Sequence, residues 1–180
     1  MTAEDNLIKE YELLKGEILN CINLSNRISL FSFTATIAIL SFSLTLNPVR
    51  PVLCLIPLVV ILPLSAKTAY YRKNMLVASS YLIEKIEPKV EELNWETDVS
   101  RFKKGKLENV ILGIRNFEFL FEAILCVLLY VYMQDSAMFI DIPFWLSVFV
   151  CLIVAVICFI QSCRQTSIEK YNKRWANTDF

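Results

Sequence analysis

Four long apolar runs constrain this chain more than any other feature of its sequence. Two of the runs carry no charge, one is interrupted by a lysine near its end, and one holds two carboxylates. A helix needs ~20 mostly apolar residues to cross the hydrocarbon core of a bilayer. The sequence therefore predicts an all-α integral membrane protein with four transmembrane helices and cytoplasmic helical extensions. The predicted spans are residues 28–46, 52–71, 116–133 and 142–163.

Basic residues are distributed unevenly around these spans. Of the 18 lysines and arginines, only Arg50 lies in a loop between the first two spans, and the loop at residues 134–141 has none. Cytoplasmic loops of membrane proteins carry an excess of Lys and Arg. The distribution therefore predicts that both termini and the segment between the second and third spans are cytoplasmic.

The spans divide the chain into five segments. Residues 1–27 are predicted to form a cytoplasmic amphipathic helix, and residues 28–71 a transmembrane hairpin. A cytoplasmic helical connector at residues 72–115 leads to a second transmembrane hairpin at residues 116–163. Residues 164–180 form a basic amphipathic tail, which either lies on an anionic inner leaflet or docks on the cytoplasmic helices. Because no proline interrupts the chain before the end of the first span, we expect its first helix to continue into that span.

Two stretches outside the predicted spans have the heptad-like spacing of helices that pack side by side. Apolar residues recur at alternating intervals of four and three near the N-terminus, and at similar intervals after the second span. Such a seam forms within one chain or between chains. The sequence leaves open whether the seams close an oligomer interface or a cytoplasmic bundle. Their candidate residues are Leu7, Tyr11, Leu14 and Ile18, and then Leu76, Ile83, Ile86, Val90 and Leu93.

Hydroxyl side chains form a stripe along the first span. Ser29, Ser32, Thr36 and Ser43 fall within one ~60° sector when successive residues are placed 100° apart on a helix. Small hydroxyl residues favour close packing of helices in lipid, so the stripe is typical of a helix–helix contact. The alternative is that it lines a water-filled path, and the four residues are therefore candidate pore-lining residues.

Glu118 and Glu122 lie at the cytoplasmic end of the third span and share one helix face. A charge at the centre of a membrane helix costs roughly 2.5–3.5 kcal/mol on insertion scales, and this cost falls near the interface. Three interpretations remain open. The two carboxylates pair with Lys67, Arg72 or Arg115, they form an acidic ring at the inner mouth of a pore, or they face a ligand or cation between subunits.

The sequence offers no recognisable catalytic machinery. It contains no histidine and only 3 glycines, so it lacks Ser–His and Cys–His nucleophile pairs and phosphate-cradling loops. The 6 cysteines form no CxxC pair, and a mixed Cys/His zinc site is impossible. Cysteines in apolar spans behave as small hydrophobic residues. We therefore expect no enzyme activity, no cofactor and no metal site.

The connector contains a segment with the composition of an exposed partner surface. Within IEPKVEELNWETDVSRF, Pro88 predicts the end of one helix near residues 86–87, and Asn94 or Thr97 is a suitable N-cap for the next. A group of lysines follows and is suited to lipid phosphates. The candidate partner residues are Asn94, Trp95, Glu96, Lys103, Lys104 and Lys106.

This layout resembles the small membrane effectors of bacterial anti-phage defence, including the SLATT and related four-span types. The segment IEPKVEELNWETDVSRF looks like a motif of uncharacterised bacterial membrane proteins of this size. The resemblance implies an oligomer in the bacterial inner membrane that permeabilises it and so aborts infection. It also implies control by a nucleotidyltransferase or by a nucleotide or oligonucleotide signal. Since the chain has no separate sensor domain, such a signal would bind the cytoplasmic helices, an oligomer interface or a partner. No direct readout of duplex DNA is expected.

Two functional hypotheses follow from the sequence. In the first, the chain is a homo-oligomeric membrane effector that forms a gated pore or ion channel. In the second, it is a non-conducting adaptor that anchors a soluble partner through its cytoplasmic helices. A small transporter is disfavoured because the chain lacks a pair of broken, repeat-related helices.

Overall fold

The described part of the chain is helical throughout. We used a computed structural model, which describes residues 3–45, 51–90, 93–102, 117–133, 142–163 and 168–177. No β-strand occurs within these ranges, in agreement with the predicted all-α class. The six α-helices are α1 (Ala3–Thr45), α2 (Ile56–Tyr81), α3 (Trp95–Phe102), α4 (Glu118–Tyr132), α5 (Ile142–Cys163) and α6 (Ile168–Ala176).

The first helix joins two segments that the sequence analysis treated separately. α1 runs for 43 residues, which is about 65 Å at 1.5 Å per residue. The prediction that the N-terminal amphipathic helix continues into the first span is confirmed. Gly16 lies inside α1, where a side chain at this position would meet no other atoms within 4 Å. The continuous helix joins the first predicted span to the predicted N-terminal extension without a break.

The second helical segment ends in two irregular turns. A 3₁₀ turn at Pro51–Leu55 leads into α2, which is followed by a π-helical turn at Leu82–Ile86 and a 3₁₀ turn at Glu87–Lys89. The predicted break near residues 86–87 is confirmed, but regular α-helix already stops at Tyr81. Pro88 has no N–H to donate to the preceding turn, so the helix loses its regular bonding before it.

Two helical segments, Glu4–Thr45 and Pro51–Lys89, are long and apolar enough to cross a membrane by length and composition. They contain the first and second predicted spans. α4 and α5 correspond to the third and fourth, and within the described residues α4 has only 15 residues. The assignment of four spans therefore stays a prediction. The predicted outer loop at residues 134–141 lies outside the described residues, as does the turn at residues 47–50.

The long helices enclose two separate apolar cores. α2 is the central element and contacts α1, α4, α5 and α6. The first core joins the helices that carry the predicted spans, and the second joins the cytoplasmic end of α1 to the end of α2. The first contains Leu40, Cys54, Leu58, Ile61, Phe119, Ala123, Cys126, Tyr130 and Cys151, and the second contains Tyr11, Ile18, Leu82 and Ile86.

The two predicted seams meet inside one chain at the second core. Tyr11, Ile18 and Ile86 are core residues, and Leu14 and Leu93 pack against them. Val90 is also buried, whereas the remaining seam residues, Leu7, Leu76 and Ile83, are half-buried. These seam residues therefore pack against one another within one chain, and an oligomer interface along the seams stays a prediction.

The basic tail helix α6 docks on the cytoplasmic end of α2. Trp175 meets the ring of Tyr81 edge-on, with 5.1 Å between the ring centroids. Lys173 and Arg174 are exposed on the other side of the helix. The tail helix therefore contacts the helical bundle, and its predicted binding to an anionic leaflet stays a prediction.

Candidate functional site

A polar seam lies between α1 and α4, within the part of the chain predicted to enter the membrane. The hydroxyl of Ser32 donates a hydrogen bond of 2.6 Å to Oε2 of Glu122, and the hydroxyl of Thr36 donates one of 3.4 Å to the same oxygen. One helical turn away, the hydroxyl of Ser29 donates a bond of 2.8 Å to Oε1 of Glu118. Because both sets of residues recur at helical spacing, the stripe on α1 matches the acidic face of α4.

Arg72 of α2 completes this cluster. Its Nη2 lies 2.5 Å from Oε1 of Glu118, and its Nε donates a bond of 3.2 Å to the hydroxyl of Ser25. Of the three cations considered from the sequence, Arg72 is therefore the observed partner of Glu118. Lys67 is exposed, and Arg115 lies outside the described residues.

Five of the six candidate pore-lining residues come together in this cluster, and Ser43 does not. Its hydroxyl is buried farther along α1 and donates to the carbonyl of Ile39 in its own helix. Sequence reasoning missed Ser25, which extends the stripe by one turn toward the cytoplasm and is 4% exposed. Its position four residues before Ser29 was the available signal.

The cluster borders an open groove between α1 and α4 with a volume of about 510 Å³. Its polar lining includes Glu118 and Glu122, and four large apolar side chains form the rest of its walls. This volume falls in the range typical of small-molecule sites. The groove is lined by Asn26, Ser29, Leu30, Phe33, Glu118, Phe121, Glu122 and Leu125.

Each carboxylate uses only one of its oxygens within the described part of the chain. All hydrogen bonds to Glu122 reach Oε2, and those to Glu118 reach Oε1. Neither Oε2 of Glu118 nor Oε1 of Glu122 is a fully buried atom without a hydrogen-bond partner. Both side chains line the groove, and Oε2 of Glu118 and Oε1 of Glu122 are the oxygens that accept no hydrogen bond from the described chain. The arrangement can accept hydrogen bonds from a ligand or bind a cation.

The predicted partner surface begins at α3, which is held by a buried carboxylate that sequence reasoning did not identify. Glu87 is 4% exposed. It accepts bonds from the N–H groups of Glu96 and Thr97, at 2.7 and 3.1 Å, and one of 2.5 Å from the Thr97 hydroxyl. Glu87 thus caps the first turn of α3, where free N–H groups require an acceptor. Its place beside Pro88 gives no sequence signal for this role.

The remaining partner-surface residues differ in exposure. Asn94 directly precedes α3, which places it at the N-cap as predicted, whereas Thr97 lies within the first turn. Trp95 is 58% exposed, and the ammonium of Lys15 lies 4.8 Å from the centroid of its ring. Glu96 is half-buried. Lys103, Lys104 and Lys106 lie outside the described residues.

Tyr11 lies beneath this surface with its hydroxyl buried. The hydroxyl makes no hydrogen bond of good geometry within the described chain. Burial and the negative charge of nearby Glu87 and Glu96 raise the pKa of Tyr11 from 10.0 to about 12. The neutral phenol is therefore the form that the folded protein favours.

The described residues contain no group of His, Cys, Asp or Glu side chains arranged to hold a metal ion. Four cysteines in this part of the chain are free and buried, three of them in the first core. They pack as small apolar side chains. The polar site is therefore a carboxylate, hydroxyl and guanidinium cluster.

No protein-family model matches the chain, and no match was found among curated proteins or solved structures. The function must therefore be inferred from the geometry of the site.

Proposed function

We propose that the chain is a four-span membrane protein with both termini in the cytoplasm, which assembles into an oligomer and forms a gated pore or ion channel. The observation that carries this proposal is the lateral groove between α1 and α4, where two carboxylates each present an oxygen to the open side. Carboxylates at the mouth of a pore attract cations.

The polar residues favour a path between subunits over a path through one protomer. Ser32, Thr36 and Arg72 are buried and bonded to the two glutamates, so they fill the space between their helices. The groove, in contrast, opens sideways. A second subunit placed against it would turn the groove into a channel wall with a negative lining.

The proposed orientation puts the two glutamates near the cytoplasmic surface. Asn26 and Arg27 precede the first predicted span and are exposed. Glu118 and Ser29 are hydrogen-bonded to each other, so they occupy the same level as the start of that span. At this depth a carboxylate is less costly than at the bilayer centre.

The resemblance to four-span anti-phage effectors extends the proposal to a biological role. The pore would open in an infected bacterium and depolarise the inner membrane, under control of a nucleotide signal or a partner enzyme. The cytoplasmic bundle is the part of the protein available to receive such a signal. Its groove between α1, α2 and α6 has a volume of about 380 Å³ and is bordered by Glu17, Asn74 and Trp175.

Two measurements test the pore directly. The mass of the detergent-solubilised assembly should be a multiple of 20.8 kDa. Purified protein in liposomes should release a trapped cation, and Glu122→Gln should lower that release by about tenfold, since it removes one charged acceptor. Glu84→Gln, a carboxylate outside the groove, is the matched control. A monomer without cation release would overturn the proposal.

The adaptor is the second candidate, and it is favoured by the exposed ring of Trp95 at the start of α3. An aromatic residue of this kind is a common anchor in protein interfaces. Overexpression separates the two functions. A pore should arrest growth and collapse the membrane potential, whereas an adaptor should do neither, and Trp95→Ala should then abolish recruitment of its partner.

A further inference from the structure

The groove between α1 and α4 is mainly polar at one end and mainly apolar at the other. Asn26, Ser29 and Glu118 lie at the polar end, and Phe33 and Leu125 lie farther along, where Glu122 meets Ser32 and Thr36. Seven residues separate Asn26 from Phe33, which corresponds to about 10 Å along a helix. In the proposed orientation, the polar end lies at the inner membrane surface and the apolar end points toward the bilayer centre.

We propose that this groove binds one inner-leaflet phospholipid whose headgroup ends in a protonated primary amine. The ammonium would lie between Glu118 and Glu122, and an acyl chain would follow the apolar walls. The inference rests on the membrane placement in the proposed function, but it requires neither a pore nor an oligomer.

Charge complementarity identifies the headgroup. Arg72 is ion-paired with Glu118, whereas Glu122 has only hydroxyl partners and no cation within the described chain. A buried charge is costly unless it is paired and hydrogen-bonded. A lipid ammonium supplies the missing positive charge from the open side of the groove.

Hydrogen-bonding capacity also fits a primary amine. An ammonium group has three donors. Oε2 of Glu118 and Oε1 of Glu122 accept no hydrogen bond from the described chain, and the amide of Asn26 lines the groove at the end nearer to Glu118. A trimethylated choline cannot donate to these acceptors, and an anionic glycerol headgroup would be repelled.

The walls of the groove suit the rest of the lipid. Leu30, Phe33, Phe121 and Leu125 are between 45% and 65% exposed. They flank the carboxylates on both helices rather than forming a separate patch. Burying this surface against an acyl chain while the ammonium is bound gives the lipid two attachment points. Its phosphate remains at the aqueous end.

Native mass spectrometry of the detergent-solubilised protein tests the proposal. The protein is titrated with phosphatidylethanolamine, phosphatidylcholine and phosphatidylglycerol that carry identical acyl chains. Phosphatidylethanolamine should bind about tenfold more tightly than the other two, the ratio expected for one hydrogen-bonded charge pair. Equal binding of all three lipids would overturn the proposal and identify an unspecific lipid contact.

Variants of the protein distinguish recognition of the lipid headgroup from contact with the acyl chain. Glu122→Gln should remove the preference for phosphatidylethanolamine. Leu125→Ala should lower the affinity for all three lipids by the same factor and keep the preference. Glu84→Gln should change neither, and circular dichroism verifies that each variant is folded. A preference that survives in Glu122→Gln would contradict the assignment.

A separate measurement tests whether the protein is embedded in the membrane at all. A chain that is released from membranes by alkaline carbonate is not integral, and both the proposed function and the lipid site would then fall. A chain that stays in the membrane without a headgroup preference refutes the lipid site alone.

Discussion

Glu87 and Glu122 are the two buried carboxylates of the described chain, at 4% and 6% exposed, and they are used differently. Glu87 receives three hydrogen bonds, shared between both of its oxygens, from the first turn of α3. Glu122 receives two, both at Oε2, from hydroxyls of α1. Glu87 therefore accepts hydrogen bonds at both of its oxygens, and Glu122, in the part of the chain predicted to enter the membrane, accepts them at one.

The difference indicates which of the two sites can accept something from outside. A buried acceptor with all its bonds made contributes to stability and to a unique local structure. One with an oxygen open to a groove retains binding capacity. Mutations of the two glutamates should therefore affect different properties. Changes at Glu87 should affect folding, and changes at Glu122 should affect binding and conduction.

The largest loss of stability is expected at the ion pair beside Glu122. Arg72→Met leaves Glu118 without its cation and should lower the free energy of unfolding by about 3 kcal/mol, since breaking a buried pair is costly. The double variant Arg72→Met/Glu118→Gln should recover most of that loss. Unfolding followed by circular dichroism in detergent measures both. Equal losses in the single and double variants would show that the charge of Glu118 is not responsible.

Removing the carboxylate of Glu87 should cause the next largest loss of stability. Glu87→Ala leaves the first turn of α3 without its acceptor and should lower the free energy of unfolding by about 2 kcal/mol. Glu87→Gln keeps one acceptor oxygen and should lose about half as much. Glu84→Gln, on the preceding π-helical turn, is the control and should stay within about 0.5 kcal/mol of the parent. Equal losses of unfolding free energy in Glu84→Gln and Glu87→Ala would show that the cap on α3 does not stabilise the protein.

The docking of α6 is a smaller contribution to the cytoplasmic half. Trp175→Ala removes the edge-on contact with Tyr81 and should cost about 1 kcal/mol, the value of an aromatic pair. The tail should then detach more often, so trypsin should cleave after Lys173 and Arg174 faster. Lipid vesicles provide the control. If vesicles protect the tail equally in both proteins, the tail lies on the membrane and not on the bundle.

The effect expected from Tyr11 is confined to alkaline pH and is absent near neutral pH. Its pKa is raised from 10.0 to about 12, so the unfolded chain loses this proton at a lower pH than the folded protein. The stabilisation is complete below pH 10 and is lost as the pH rises from 10 toward 12. Between pH 10 and 12, the midpoint temperature of thermal unfolding should fall more steeply for the parent than for Tyr11→Phe. Parallel curves would contradict the burial of the neutral phenol.

Sequence patterns were informative wherever one helix determined the outcome. The continuity of α1, the break near Pro88 and the N-cap position of Asn94 all follow from local rules and are observed. The hydroxyl stripe on α1 and the acidic face of α4, each taken alone, also follow from helical periodicity. These features depend on residues a few positions apart, which is the range that single-sequence reasoning covers.

Features that depend on how helices approach one another could not be obtained this way. The choice of Arg72 over Lys67 as the partner of Glu118 depends on the rotation of α2 against α4. The cap on α3 depends on a chain reversal after Pro88 that returns Glu96 and Thr97 to Glu87. The open oxygens of Glu118 and Glu122 depend on the number of donors that three helices bring to them.

Cation release from liposomes by Glu122→Gln and Glu87→Gln tests the central distinction most directly. The account predicts that Glu122→Gln releases the cation about tenfold more slowly than the parent while its unfolding midpoint is unchanged. It also predicts that Glu87→Gln releases the cation at the parental rate per folded protein and unfolds more easily. Parental release by Glu122→Gln, or slow release by folded Glu87→Gln, would contradict the distinction.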